Sequence, residues 1–239
     1  MPRIFSIEGS YAHYASSISY LGEVVTDMKR FAREPESFDV VLFTGGEDVH
    51  HGIYGQRHYS GRGSDYFQRD MKEAYVYQVA KRFGIPMAGI CRGLQFTASM
   101  AGACLVQDFS GHGCSHNSVP IYAEYPSGKT GLITGLCMHH QMVDCNTLTK
   151  DMKVVGHVAG EEIGRYNSRY LSDNGKKIGQ KMEIEAIFCK DPMFFGVQYH
   201  PESMEPGTSG RKFFCEWVEY MLALRSESTG EVKYSVANG

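Results

Sequence analysis

The sequence predicts an α/β fold built on a central, mostly parallel sheet with helices on both faces, and three observations predict it. Through the first hundred residues, apolar runs of strand length alternate with helical patterns. The run FDVVLFTGG is apolar without interruption and ends in two glycines, as a strand covered on both faces does. Beyond Gly102 short strand-like runs follow one another across turn residues without full intervening helices, which predicts an antiparallel extension in the second half.

In order, RIFSIEG reads as the first strand, YAHYASSISYLG as a short helix and EVVTDM as a second strand; FDVVLFTGG is the third. Ser64 to Arg82 has helical period, with Ser64 and Asp65 as caps and Gly84 just past its end. IPMAGIC is the next strand and RGLQFTASMAG the next helix. CLVQDF, SVPIYAEY, MKVVGHVAG, EIEAIFC and FFGVQYH are the later strands, and GRKFFCEWVEYMLALRSES is a C-terminal helix docked by Phe213, Phe214, Trp217 and Leu222. Residues 160–181, rich in glycine and charge, read as a surface excursion. A single domain over residues 1–228 is expected, with 229–239 as a flexible tail.

Composition narrows the function. The 239 residues are 42% hydrophobic and 21% charged, an ordinary globular balance. A net charge of −3 without a basic run gives no footprint for nucleic acid. No secretory pattern opens the chain, and no window approaches the roughly 18 apolar residues that span a bilayer. Seven cysteines without regular spacing fit free thiols in a reducing, cytoplasmic setting. His112, Cys114 and His116 alternate in GHGCSHN, but zinc needs about four ligands and no partner pair is evident, so no metal and no cofactor are expected.

The chemistry centres on IPMAGICRGLQ. Cys91 stands between Gly89 and Gly93 at a strand-to-helix junction, the logic of a nucleophile elbow. The helix that follows favours a thiolate through its dipole, and the Arg92 amide faces a developing oxyanion. A core cysteine would also fit this segment alone. The base comes from FFGVQYHPES, where His200 ends an apolar strand, Pro201 stops it, and Glu202 can fold back to fix the imidazole.

PMAGICRGLQ followed by GVQYHPE resembles the class I glutamine amidotransferase superfamily over most of the chain. That resemblance implies a flavodoxin-like sheet with an antiparallel extension and a Cys91–His200–Glu202 triad, working through a γ-glutamyl thioester. LFTGGEDVHHGIYG, RDMKEAYVYQVAKRFGIP, LVQDF and CMHHQMV resemble the γ-glutamyl hydrolase branch (peptidase C26-like, with the γ-glutamyl-γ-aminobutyrate hydrolases), although Thr44 and His51 replace two prolines of its pattern. By this resemblance Gly46 and Arg92 form the oxyanion hole, and Gln95, His139, His140 and Gln141 surround the substrate; both histidines equally fit a structural role. The short start, IEGSYAHYASSISYLGEVV, instead resembles amidotransferase subunits of biosynthetic enzymes. The leading expectation is a stand-alone hydrolase of glutamine or a γ-glutamyl-amine conjugate. The alternative is a glutaminase subunit serving a separate synthase or ligase chain. A non-catalytic relative would typically have lost a triad member, and all three are present. No nucleic acid or membrane partner is expected.

Overall fold

The structure, a computed structural model, describes residues 1–7, 19–59, 67–110, 117–159 and 169–229. In the first half the strands are β1 (Arg3–Ile7), β2 (Glu23–Val25), β3 (Val40–Phe43) and β4 (Met87–Ile90). The second half holds β5 (Leu105–Val106), β6 (Asp108–Ser110), β7 (Asn117–Glu124), β8 (Thr130–Cys137) and β9 (Met142–Val143). It continues with β10 (Met152–Val158), β11 (Arg169–Ser172), β12 (Lys176–Ile178), β13 (Ile184–Cys189) and β14 (Phe194–Val197). The α-helices are α1 (Met28–Arg33), α2 (Phe67–Arg82), α3 (Arg92–Met100) and α4 (Ser209–Thr229).

Nine strands make the main sheet, in the order β2-β1-β3-β4-β14-β13-β10-β7-β8. The first five are parallel. From β14 onward every pairing is antiparallel. Alternate residues of β3 enter different cores, which is the signature of a sheet buried on both faces. Val40 and Leu42 pack under Phe213, Phe214 and Trp217 of α4. Val41 and Phe43 pack against Phe31, Tyr77 and Phe96 of the other helices. The flavodoxin-like plan with an antiparallel extension is therefore present.

One sequence expectation changes in detail and two lie beyond test. The expected early helix falls largely on residues 8–18, outside the described residues; Ser19–Leu21 form a 3₁₀ turn. The caps Ser64 and Asp65 also lie outside the described residues. The excursion at 160–181 is partly ordered sheet: β11 and β12 form a hairpin that pairs with β6. Its turn needs left-handed backbone at Asp173, Asn174 and Gly175, residue types that tolerate it. Gln107 ties this unit to the loop after β3, accepting the Tyr59 amide at 2.8 Å and donating to the Arg57 carbonyl at 2.9 Å.

The six cysteines among the described residues are free. Among the same residues no helix is long and apolar enough to cross a membrane.

Candidate active site

Cys91 follows β4 directly and precedes α3. Its backbone has φ 53° and ψ −109°, a region L-residues avoid, and the surroundings hold it there. Its amide donates to Val197 of the neighbouring strand at 2.7 Å. A methyl at Gly89 would lie 2.6 Å from Gly93, and one at Gly93 would lie 2.0 Å from the Phe43 carbonyl. Only glycines let strand, turn and helix approach this closely, so the sequence on both sides of Cys91 dictates the elbow.

His200 reaches Cys91 because β14 runs parallel to β4 with Val197 opposite Ile90, so both chains leave the sheet at the same end. Its amide donates to Leu136 at 2.9 Å, and its Nδ1 lies 2.7 Å from Glu202 Oε1. Burial works against an imidazolium here. The negative charge and hydrogen bond of Cys91, followed by the hydrogen bond and charge of Glu202, outweigh it and raise His200 to about 10. The contacts to Cys91 and Glu202 thus favour the charged form of His200.

A buried chain of amides backs the thiol. Gln198 Nε2 points at Cys91 Sγ at 3.6 Å, Gln95 Nε2 donates to Gln198 Oε1 at 3.2 Å, and also to the Gln141 carbonyl at 2.9 Å. Gln198 was not singled out from the sequence, although it sits in the quoted GVQYHPE run. The signal was its place two residues before His200, on the same side of the strand.

The other predicted residues divide. His140, partly exposed, lies 3.1 Å from Asp48 and 4.0 Å from Asp108. Gln141 keeps a buried Oε1 without a hydrogen-bond partner among the described residues. His139 instead turns inward, with Nδ1 2.9 Å from the Gln141 carbonyl and Nε2 3.6 Å from Glu185. The GHGCSH run lies outside the described residues.

Below the elbow lies a largely buried ionic network that accounts for Arg69, Asp70 and Glu73 in RDMKE. Arg92 ion-pairs with Asp70 and Glu73. Arg69 holds Glu73 at 2.9 Å, Glu47 at 3.1 Å and the Thr44 carbonyl at 3.0 Å. Gly46, at φ 140°, has no room for a side chain because Arg69 Nη1 would sit 2.1 Å from it. One set of guanidiniums therefore fixes both the Thr44–Glu47 loop and the first residue of α3.

Comparison with known proteins places the chain in a family. Residues 15–163, more than half of the chain and including Cys91, match Peptidase C26. The chain belongs to the Peptidase C26 family. The "Putative glutamine amidotransferase PB2B2.05" of Schizosaccharomyces pombe is 28% identical over 178 residues, which is 71% of this chain and 64% of that protein. The chain thus spans less than two thirds of that relative. Among solved structures, a Thermotoga maritima glutamine amidotransferase has a TM-score of 0.55 at 14% identity, covering 97% of this chain and 85% of its own. The Trypanosoma brucei CTPS glutaminase domain with bound acivicin has a TM-score of 0.51 at 14% identity, covering 98% and 96%. These likenesses identify the class I glutamine amidotransferase fold, and this Peptidase C26 member is glutamine amidotransferase-like in sequence and fold.

Proposed function

We propose that this Peptidase C26 chain hydrolyses a γ-glutamyl amide, either glutamine or a γ-glutamyl-amine conjugate, through a thioester on Cys91. The observation that carries the reading is the strained elbow at Cys91 beside a His200 whose Nδ1 is held 2.7 Å from Glu202. Cys91 Sγ attacks the γ-carbonyl, and backbone amides of Gly46 and Arg92 receive the oxyanion. The C–N bond breaks as His200 gives its proton to the leaving amine. Water then loses a proton to His200 and attacks the thioester, releasing the γ-carboxylate and restoring the Cys91–His200 pair. Glu202 holds the imidazole and balances its charge. Gln95, His140 and the unpartnered Gln141 Oε1 line the side from which substrate polar groups are recognised; His139 acts from behind that lining.

A second reading has specific support. The carbamoyl phosphate synthase small chain of Archaeoglobus fulgidus is 31% identical over 138 residues, 58% of this chain and 31% of that protein. On this reading the chain is a glutaminase subunit that hands ammonia to a separate synthase or ligase chain. Ammonia release from L-glutamine, run beside cleavage of γ-glutamyl-γ-aminobutyrate with a Cys91→Ala control, separates the two. Faster turnover of the conjugate supports the stand-alone hydrolase. Weak, Cys91-dependent glutaminase activity with no conjugate cleaved supports the subunit. Full activity in Cys91→Ala overturns both.

A further inference from the structure

Behind the nucleophile lies a second group with the same residue types. Cys137 ends β8, His139 follows two residues later, and Glu185 comes from β13. The ligand-type atoms Cys137 Sγ, a histidine ring nitrogen of His139 and a Glu185 carboxylate oxygen all lie within 4.8 Å of one another. No side chain of the three is more than 2% exposed.

The hydrogens settle how these atoms face each other. A carbonyl only accepts, so the 2.9 Å contact to Gln141 places the hydrogen of His139 on Nδ1. His139 Nε2 lies 3.6 Å from Glu185 Oε1. Cys137 Sγ meets the other carboxylate oxygen at 3.4 Å. Thiolate, imidazole and carboxylate are the donor types of a zinc-type centre. A histidine that offers one nitrogen to such a centre and donates the other N–H to a backbone carbonyl has the usual outer support of a metal ligand.

We propose that Cys137, His139 and Glu185 form a buried site for a zinc-type divalent cation, distinct from the Cys91 centre. The sequence predicts no metal, and its alternating His112, Cys114 and His116 lie outside the described residues. Three protein ligands leave one coordination position for a water. The site holds the 137–141 turn in place, and the Gln141 carbonyl in that turn receives both His139 Nδ1 and Gln95 Nε2. Through Gln95 and Gln198 the ion's position bears on Cys91 without the ion touching substrate. Because the ligands are buried, the ion enters as the chain folds.

The test is to unfold the whole chain in chelator, refold it with Co²⁺ or Zn²⁺, and remove free metal. Wild-type protein and Cys91→Ser should each retain about one equivalent and show a Co²⁺–thiolate charge-transfer band, whereas Cys137→Ser should lose the band and at least about tenfold in affinity. Glu185→Gln should weaken retention similarly. A band that survives Cys137→Ser, vanishes with Cys91→Ser, or never forms in wild type overturns the proposal. Anomalous scattering at the zinc edge from wild-type crystals asks the same question without a variant. A peak among the three side chains supports the site, and its absence overturns it.

Discussion

Cys91, His200 and Glu202 gather at the C-terminal ends of β4 and β14, whereas Cys137, His139 and Glu185 gather between the end of β8 and β13. The residue types are the same; the order in space is not. In the first group histidine stands in the middle, bonded to the thiol on one side and the carboxylate on the other. In the second the carboxylate stands in the middle, with Cys137 on one oxygen and His139 on the other. A central imidazole can take the thiol proton and have its charge balanced, which makes a nucleophile. A central carboxylate receives the thiol as a donor: burial first, then the charge of Glu185, push Cys137 well above its ordinary range. Backbone geometry differs as well, since Cys91 is held at positive φ at an elbow while Cys137 closes an ordinary strand.

The largest expected effect separates the two thiols. Cys91→Ala should lower kcat/KM for the γ-glutamyl substrate at least about 10⁴-fold with the circular dichroism spectrum unchanged. Cys137→Ser should stay within about tenfold, because its thiol does not touch the substrate's reacting atoms. Equal losses in both would erase the contrast drawn here.

Next come the histidines. His200→Ala should cost about 10²–10⁴-fold in kcat. The folded-state pKa of His200 is raised, so its charged form and the stability it adds are complete below the unfolded imidazole range and are lost as pH rises through about 10. Iodoacetamide should modify Cys91, and His200→Ala should slow that reaction sharply. An alkylation rate indifferent to His200 would leave the contact between the two side chains without a role.

Metal removal is a smaller effect that tests the second group by itself. With free ion at about a hundred times its dissociation constant, loading stabilises by about 2.7 kcal/mol, or about 5–10 °C in Tm for a chain of this size. Cys91→Ser should keep that shift and Cys137→Ser should lose it. Calorimetry with and without chelator reads it directly.

The first group was legible because its determinants are local. Gly89 and Gly93 flank Cys91 within two residues, and His200 and Glu202 are two apart, so short motifs encode the elbow and the supporting carboxylate. The alternating first half was legible for the same reason. The second group was not: Glu185 stands 48 residues beyond Cys137, inside a run read simply as an apolar strand. His139 was read with His140 as a substrate neighbour, because adjacency in CMHHQMV does not say which ring turns inward. α2 hid its role differently, since its buried face carries Arg69, Asp70 and Glu73 beside Val76, Tyr77 and Ala80. Hydropathy marks charged positions as exposed, and only a partner like Arg92 from another element reverses that. The β11–β12 hairpin was hidden by Lys176 and Lys177 for the same reason.

The smallest prediction asks whether the two groups communicate. The route is short: the Gln141 carbonyl receives His139 and Gln95, Gln95 reaches Gln198, and Gln198 reaches Cys91. Gln198→Leu removes the donor to Sγ and the acceptor for Gln95 while keeping the strand apolar and filled. Alone it should lower kcat/KM about three- to tenfold, the scale of one net hydrogen bond of about 0.5–1.5 kcal/mol. In a Cys137→Ser background the same change should cost less, because the turn that positions Gln95 is already loosened. The double-mutant cycle should give a coupling of about 0.5–1.5 kcal/mol, against the about 0.3–0.5 kcal/mol within which independent sites add. Strict additivity would mean that the amide chain holds the thiol without transmitting the state of Cys137. The two groups would then be neighbours in the fold but separate in function.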